Sequence, residues 1–533
     1  MRNLMKYMEI TSTWNAFIEV IEHMHSKKVN TCEIRESTNH EVDIENKCKN
    51  LAKYSALEDM SNGKKPRVEL AKLLQEGEIV NSHIFTRLAR HYYLLGVVEE
   101  KDTRAVCDLL STLHAYLGNN YYYSAKQENI SQLLLYGSDL PRKYNYRCNI
   151  YDKRMAQSAL YLRSLGFLLS VEQGTISYSQ ETWQKLFDLL DRKIATIGGG
   201  MLLENIMPKY LSECYIPHID RYVYGRKVDD DKNEPFNLLF QLSAKHIKEK
   251  NTIASQEIEK YVDEIIKLAD AYLDICDIQG TSGVEYSMLD AERFPLYLTN
   301  EMVFDKICVA QQYSAKFILT SLNYLIKPWF QYAKASYSYQ DYYKVAEYVL
   351  KIPTFGGVIN MTTLKKKTGI SLYRLKQILK DMSIPANEVN REFVSLNSKI
   401  NLFSKPIISF PVEKYFFIDE HFCGIGFLNA ACEMISRNYS RLEREQGEAV
   451  EKMLRDEMKK KGYMLKYGKY SGKNGMNAGE CDLVLDRERI VFMEIKKKCI
   501  ADELDVLDPV TVLENMTFGM IRAQKQCFFM KSI

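Results

Sequence analysis

Gly479-Glu480-Cys481-Asp482-Leu483-Val484-Leu485-Asp486, followed by Ile490-Val491-Phe492-Met493-Glu494-Ile495-Lys496, is the stretch on which the fold of the C-terminal part turns. Two short apolar segments flank the run Asp486-Arg487-Glu488-Arg489, a pattern that predicts an antiparallel hairpin. Strand side chains alternate between faces, so Phe492, Glu494 and Lys496 share one face and Val491, Met493 and Ile495 the other. With the hairpin centred on Glu488, Asp482 lies directly opposite Glu494 and the two carboxylates share a face. A register one residue away would send them to opposite sides of the sheet.

Two neighbouring carboxylates repel, which raises the proton affinity of the pair unless a cation sits between them. Mg²⁺ suits such a place, because it takes one or two carboxylates and completes its shell with waters and phosphate oxygens. A lysine beside that ion can orient the attacking water or stabilise charge building on a phosphate. Metal, Asp482, Glu494 and Lys496 together make the residue set of a phosphodiester hydrolase. The competing interpretation is a half-exposed edge hairpin on which Lys496 merely opens the basic run Lys496-Lys497-Lys498.

Working outward, residues 441–461 predict a helix with Leu442, Ala449, Val450, Met453, Leu454 and Met458 as its apolar stripe. Glu448 sits next to that stripe. Gly462 stops the helix before a strand over 463–470, and a further helix is predicted near 508–528. The order helix with Glu, strand, strand with Asp, strand with Glu-Ile-Lys, helix resembles the PD-(D/E)XK (restriction-endonuclease-like) nuclease superfamily over about the last quarter of the chain. That resemblance implies Asp482 and Glu494 as ligands of Mg²⁺ (Mn²⁺ serving as well), the Ile495 carbonyl as a further ligand, Lys496 as the catalytic lysine and Glu448 as the helix carboxylate. Gln524 resembles the accessory glutamine of some branches, with Gln526 as its rival. No Pro precedes Asp482, a departure shared by many members.

A second informative run spans Thr362 to Lys380. Leu364, Ile370, Leu375 and Ile378 fall at helix-turn-helix core spacing, with Gly369 in the turn and Ser371 placed to cap the second helix. The run resembles a helix-turn-helix or winged-helix module, and residues 393–417, with Pro406 and Pro411, read as strands and turns able to form a wing. Lys365, Lys366, Lys367, Arg374, Lys376 and Lys380 carry no acid among them and suit phosphate contact. The alternative is an αα-hairpin used for packing or dimerisation. Further basic residues near the hairpin, Lys473 and Lys497 among them, would meet nucleic acid.

From Ser82 to Leu350 the chain reads as successive helices, clearest over Ser255–Cys276, with an exposed connection near 224–236. Leu296–Ile326 reads as a mostly apolar core segment. His23 and His25, two apart on a predicted helix, cannot share a face and are not expected to bind metal. Gly198-Gly199-Gly200 lacks the Lys-Ser/Thr of a phosphate-binding loop, so no ATP motor is signalled.

The 533 residues are 46% hydrophobic and 26% charged, as in an ordinary globular protein, and a net charge of +3 leaves nucleic-acid affinity to local patches. Twelve cysteines without CxxC spacing argue against structural zinc or a disulfide framework and fit a reducing cytoplasm. No stretch approaches the apolar length of a membrane span, and the first ten residues do not resemble a signal peptide. The expected architecture is multidomain: a mainly α region at 1–350, a winged-helix-like module at 355–418 and an α/β restriction-endonuclease-like domain at 419–533. The expected activity is a DNA endonuclease of restriction or anti-phage defence type, with RNA as an alternative substrate and the helical region engaging a protein partner or a second copy. The alternative function is a DNA-binding regulator or scaffold whose nuclease fold is inactive.

Overall fold

The computed structural model describes Glu19 and residues 83–117, 134, 150–172, 174–205, 208, 211, 214–222, 235–276, 307–308, 311–352, 357–396, 398–471, 478–486 and 490–495. These residues form a helix-rich protein with small sheets. The chain divides into two compact units, Met1–Trp183 with Asp270–Asp277, and Gln184–Ala269 with Ile278–Ile533. This division cuts across the sequence segment 1–350, while 355–418 and 419–533 both fall in the second unit. The connection near 224–234, His23 and His25 lie outside the described residues. Among those residues no helix is long and apolar enough to cross a membrane.

In the first unit, α1 (His83–Val98), α2 (Arg104–Leu117) and α3 (Ile150–Ser164) pack through residues at three- and four-residue spacing. Phe85, Leu88, Leu110, Leu113, Ala156, Ala159 and Leu162 are fully buried. A short hairpin, β1 (Ser170–Glu172) and β2 (Thr175–Ser177), follows. Gly174 in its turn has φ +81°, a conformation that costs a residue with a Cβ, and its amide donates to Nδ1 of the buried His91 at 3.3 Å.

Helices α4 (Gln180–Ile197), α5 (Gly199–Asn205), α6 (Phe236–Lys245) and α7 (Ile258–Ile275) continue the chain, with the hairpin β3 (Tyr215–Ile216) and β4 (Arg221–Tyr222) between α5 and α6. A Cβ on Gly199 would lie 1.8 Å from the Ser243 carbonyl oxygen, so this glycine serves a close approach to α6 rather than a phosphate. The apolar run that ends at Ile326 becomes α8 (Ala315–Ser321), capped by the Ser314 hydroxyl, and then a wider π-helical turn over Leu322–Ile326. Pro328 explains the change: it has no N–H and its ring would collide with the carbonyl four residues back, so a regular helix cannot pass it. The chain tightens into a 3₁₀ segment, Lys327–Ala333, that ends on Lys334 at φ 51°.

After α9 (Tyr339–Val349) come β5 (Gly357–Val358), α10 (Met361–Thr368), α11 (Leu372–Asp381), β6 (Ser383–Pro385), β7 (Ile407–Phe410) and β8 (Lys414–Phe417). The four strands form one sheet in the order β5-β8-β7-β6, with β6 parallel to β7 and the other neighbours antiparallel. Gly369 caps α10 at φ 70°, the Ser371 hydroxyl accepts from the Arg374 amide, and Leu364, Leu375 and Ile378 are fully buried. The chain then enters α12 (Glu420–Cys423), α13 (Gly426–Ser436) and α14 (Leu442–Lys460). Gly462 at φ 81° follows α14, and β9 (Leu465–Ser471), β10 (Ala478–Asp486) and β11 (Ile490–Met493) make an antiparallel sheet in the order β11-β10-β9.

Candidate functional site

The β10–β11 ladder pairs Leu483 with Met493, Val484 with Phe492, Leu485 with Val491 and Asp486 with Ile490, which centres the hairpin on Glu488. The same register carried one residue further sets Asp482 opposite Glu494, just past the end of β11. On the other edge of β10 the pairing with β9 slips by one residue between Cys481 and Val484, so a bulge falls on Asp482 and Leu483. Bulges re-aim side chains and are common beside active sites. Its effect here is that Cys481 and Val484 pack together against Phe492 in a small core, instead of alternating strictly with their neighbours.

Asp482 is half-buried, and one of its carboxylate oxygens accepts from the Ile495 amide at 2.6 Å. The side chain thus takes the donor that the ladder would have met had β11 continued, which fixes the carboxylate across the mouth of the hairpin and leaves its second oxygen for another partner. Glu494 is half-buried on the facing strand. Among the described residues no group of three or more His, Cys, Asp or Glu side chains converges as a metal site. Among the described residues Asp482 and Glu494 thus stand as a pair and not as part of a larger acidic cluster; a cation that takes only one or two carboxylates and fills its other positions with waters and phosphate oxygens is Mg²⁺. Lys496, Lys497, Lys473 and Gln524 lie outside the described residues.

Glu448 differs from its expected setting. The inward polar residue of α14 is Gln446, 3% exposed, whose amide donates to the Leu325 carbonyl at 2.9 Å. Glu448 is exposed and lines a cleft of about 920 Å³ between the 323–329 segment and α14. The cleft also presents Tyr324, Trp329, Arg441, Arg444 and Lys452. Glu445 at its edge accepts from the Trp329 indole at 2.6 Å and from the Tyr439 hydroxyl at 2.7 Å. Those two bonds, Tyr439's first, hold its carboxyl below the usual glutamate range. The spacing Arg441, Arg444, Glu448, Lys452 places these residues on one side of a helix and was readable in the sequence. Trp329, more than a hundred positions away, was not.

Of the basic residues expected to meet phosphate, Lys365, Lys366 and Lys367 are exposed at the end of α10 and form no ion pair among the described residues. Arg374 approaches Asp341 at 3.5 Å, and Lys376 pairs at 2.7 Å with Glu413 in the β7–β8 turn. Beside Glu413 in that turn, Val412 stands 97% exposed.

A further polar cluster was not anticipated. His421 is 2% exposed, and its Nε2 lies 3.1 Å from Asp220, which also accepts from the Tyr215 hydroxyl at 2.9 Å. Asp419, fully buried, caps α12 by accepting from the His421 and Phe422 amides, and burial pushes its carboxyl up to about 6. The cluster ties the β3–β4 hairpin to α12.

No family model, curated protein or solved structure matches this chain.

Proposed function

We propose that this chain is a divalent-metal-dependent nuclease that hydrolyses DNA phosphodiester bonds, with Asp482 and Glu494 as the ion's side-chain ligands and Lys496 beside them. The hairpin register centred on Glu488 carries this proposal, because it is the one register that puts the two carboxylates opposite each other. Two further features support it. The bulge at Asp482 and the bond from the Ile495 amide hold one carboxylate in place before any ligand arrives, as a pre-organised site requires. The three-stranded antiparallel meander preceded by α14 has the element order of the restriction-endonuclease-like core.

A bound Mg²⁺ or Mn²⁺ would lower the pKa of a ligated water and polarise a phosphate oxygen. The protein's own part is to place two negative ligands at a fixed spacing, and the Lys496 ammonium would stabilise the negative charge that develops on the phosphate. DNA would be held by α10 and α11, and the tight turn, the capped second helix, the β7–β8 hairpin and the exposed Lys365, Lys366 and Lys367 support a winged-helix-like role for this part. A restriction or anti-phage role follows from architecture alone.

The competing function is a DNA-binding regulator, for which α10 and α11 with the exposed Lys365, Lys366 and Lys367 would suffice without the hairpin. Incubating the full chain with supercoiled plasmid and Mg²⁺ separates the two. We expect nicking or linearisation that is abolished by EDTA and reduced about a hundred-fold or more in Asp482→Ala and Lys496→Ala. Binding of the plasmid without cleavage in Mg²⁺, Mn²⁺ or Co²⁺ would leave the regulator. An RNA arm in the same assay decides the substrate class.

A further inference from the structure

The cleft between the 323–329 segment and α14 presents two guanidiniums that form no ion pair among the described residues, although their charge helps to hold the Glu445 carboxyl low. Arg441 and Arg444, three residues apart on one side of the helix, are both exposed, and neither guanidinium makes a hydrogen bond or an ion pair among the described residues. Two of the other ionic groups nearby are committed: Lys452 pairs with Asp456 at 2.6 Å, and Glu445 is held by Trp329 and Tyr439. We propose that this cleft is a nucleotide-binding site, in which the two guanidiniums take the phosphates and the Trp329 ring takes the base.

Three properties favour a nucleotide over a simple anion. Guanidinium forks match phosphate oxygens in pairs, and two of them on one side of a cleft suit a ligand with several such oxygens. Trp329 is half-buried with its indole N–H fixed to Glu445, so its ring is a pre-oriented surface of the kind on which bases stack. Glu448 projects an uncommitted carboxylate into the same cleft. That group would repel a polyanion but would accept from ribose hydroxyls or a base amine, donors that a nucleotide carries. The volume of about 920 Å³ lies toward the upper end of small-ligand clefts, large enough for a nucleotide with its phosphates. The π-helical turn before Pro328 brings Tyr324 and Trp329 onto this cleft, and such turns recur at functional sites.

The same chemistry is offered by a free nucleotide and by the phosphorylated end of a strand, and the probes distinguish them. Titrating the full chain, in EDTA, with ATP, AMP, tripolyphosphate and a 5′-phosphorylated oligonucleotide beside its unphosphorylated counterpart should give saturable binding of at least one phosphorylated nucleotide probe. Of the three tryptophans, Trp14, Trp183 and Trp329, the last should report binding, so Trp329→Phe removes the ligand-linked fluorescence change while calorimetry still detects ligand. Arg441→Gln with Arg444→Gln should weaken binding by about ten-fold or more. Glu448→Gln should leave tripolyphosphate bound as well or better while weakening ATP, a split that misfolding would not produce. Preference for ATP over the oligonucleotides assigns a free nucleotide, and the reverse assigns a strand end. The proposal is overturned if no probe saturates at millimolar concentration, if the double arginine variant binds undiminished, or if tripolyphosphate binds as tightly as ATP. Because the titration needs neither metal nor cleavage and can be repeated on Asp482→Ala, its outcome is independent of the nuclease proposal.

Discussion

At the scale of single residues, Asp482 is where backbone geometry and chemistry meet. Its carboxylate stands in for a missing strand partner by accepting from the Ile495 amide, a role that an asparagine oxygen could also fill. Asp482→Asn should therefore preserve the melting temperature while lowering plasmid cleavage by about a hundred-fold or more, since only the charge is lost. Cleavage at the wild-type rate in that variant would remove Asp482 from the proposed site. His91 offers a test in the first unit. It is 7% exposed, its Nδ1 accepts from Gly174, and burial, with Lys101 nearby, lowers its pKa to about 4. An unfolded histidine takes up its proton near pH 6.5, above the folded value, so the unfolded state gains protons first as pH falls. Stability should be fully present above about pH 6.5 and decline toward pH 4, by up to roughly 3 kcal/mol. Urea unfolding across that range checks the slope, and His91→Phe should flatten it.

At the scale of elements, the α10–α11 pair depends on one glycine and one serine. Gly369 sits at φ 70° with open space where a methyl group would stand, so Gly369→Ala tests backbone conformation without a clash. It should cost about 1 kcal/mol, with Gly369→Asn milder, as thermal unfolding would register. The exposed lysines of α10 form no ion pair among the described residues, and under the proposed function they meet phosphate. Replacing Lys365, Lys366 and Lys367 by Gln should leave the melting temperature in place and weaken DNA binding at low salt. The slope of log affinity against log salt should fall by about 0.9 for each phosphate that is no longer neutralised. An unchanged slope would point to an αα-hairpin used for packing. The β7–β8 turn carries its own constraint, because Lys376 on α11 pairs with Glu413 and so ties the helix to the turn that displays Val412.

At the scale of the second unit, α14 links the irregular 322–333 segment to the three-stranded sheet. One side of it is anchored by Gln446 on the Leu325 carbonyl and by Asp456 on the Tyr324 hydroxyl, and Arg455 lies over the Tyr467 ring of β9 at 4.6 Å. Gln446→Leu removes a buried donor and strands that carbonyl, so it should cost roughly 1–3 kcal/mol in denaturant unfolding. Cleavage per folded molecule should persist, since no proposed ligand is touched.

Much of this was legible in the chain itself. Local rules are short-range: a two-residue period places Asp482 and Glu494, a left-handed glycine ends α10 and α14, and a hydroxyl caps α11, each within a few positions of its cause. The helices of 83–117 and 442–460 follow their apolar spacing for the same reason. What the sequence could not convey is which distant groups meet. Gln446, not Glu448, turns inward because a carbonyl freed near the π-helical turn needs a donor, and that demand arises 121 positions earlier. Trp329 lines one cleft with two arginines, and His421 reaches Asp220 across 201 positions, only because separate elements are pressed together in the folded chain. The sequence by itself determined the longer helices and the register of the β10–β11 hairpin, since those are set by neighbours along the backbone, while the β1–β2 and β3–β4 hairpins interrupt a stretch that reads as helical throughout. Tertiary structure alone decided the cleft and the buried polar partners, since burial obliges each polar group to find whatever complement packing brings within reach.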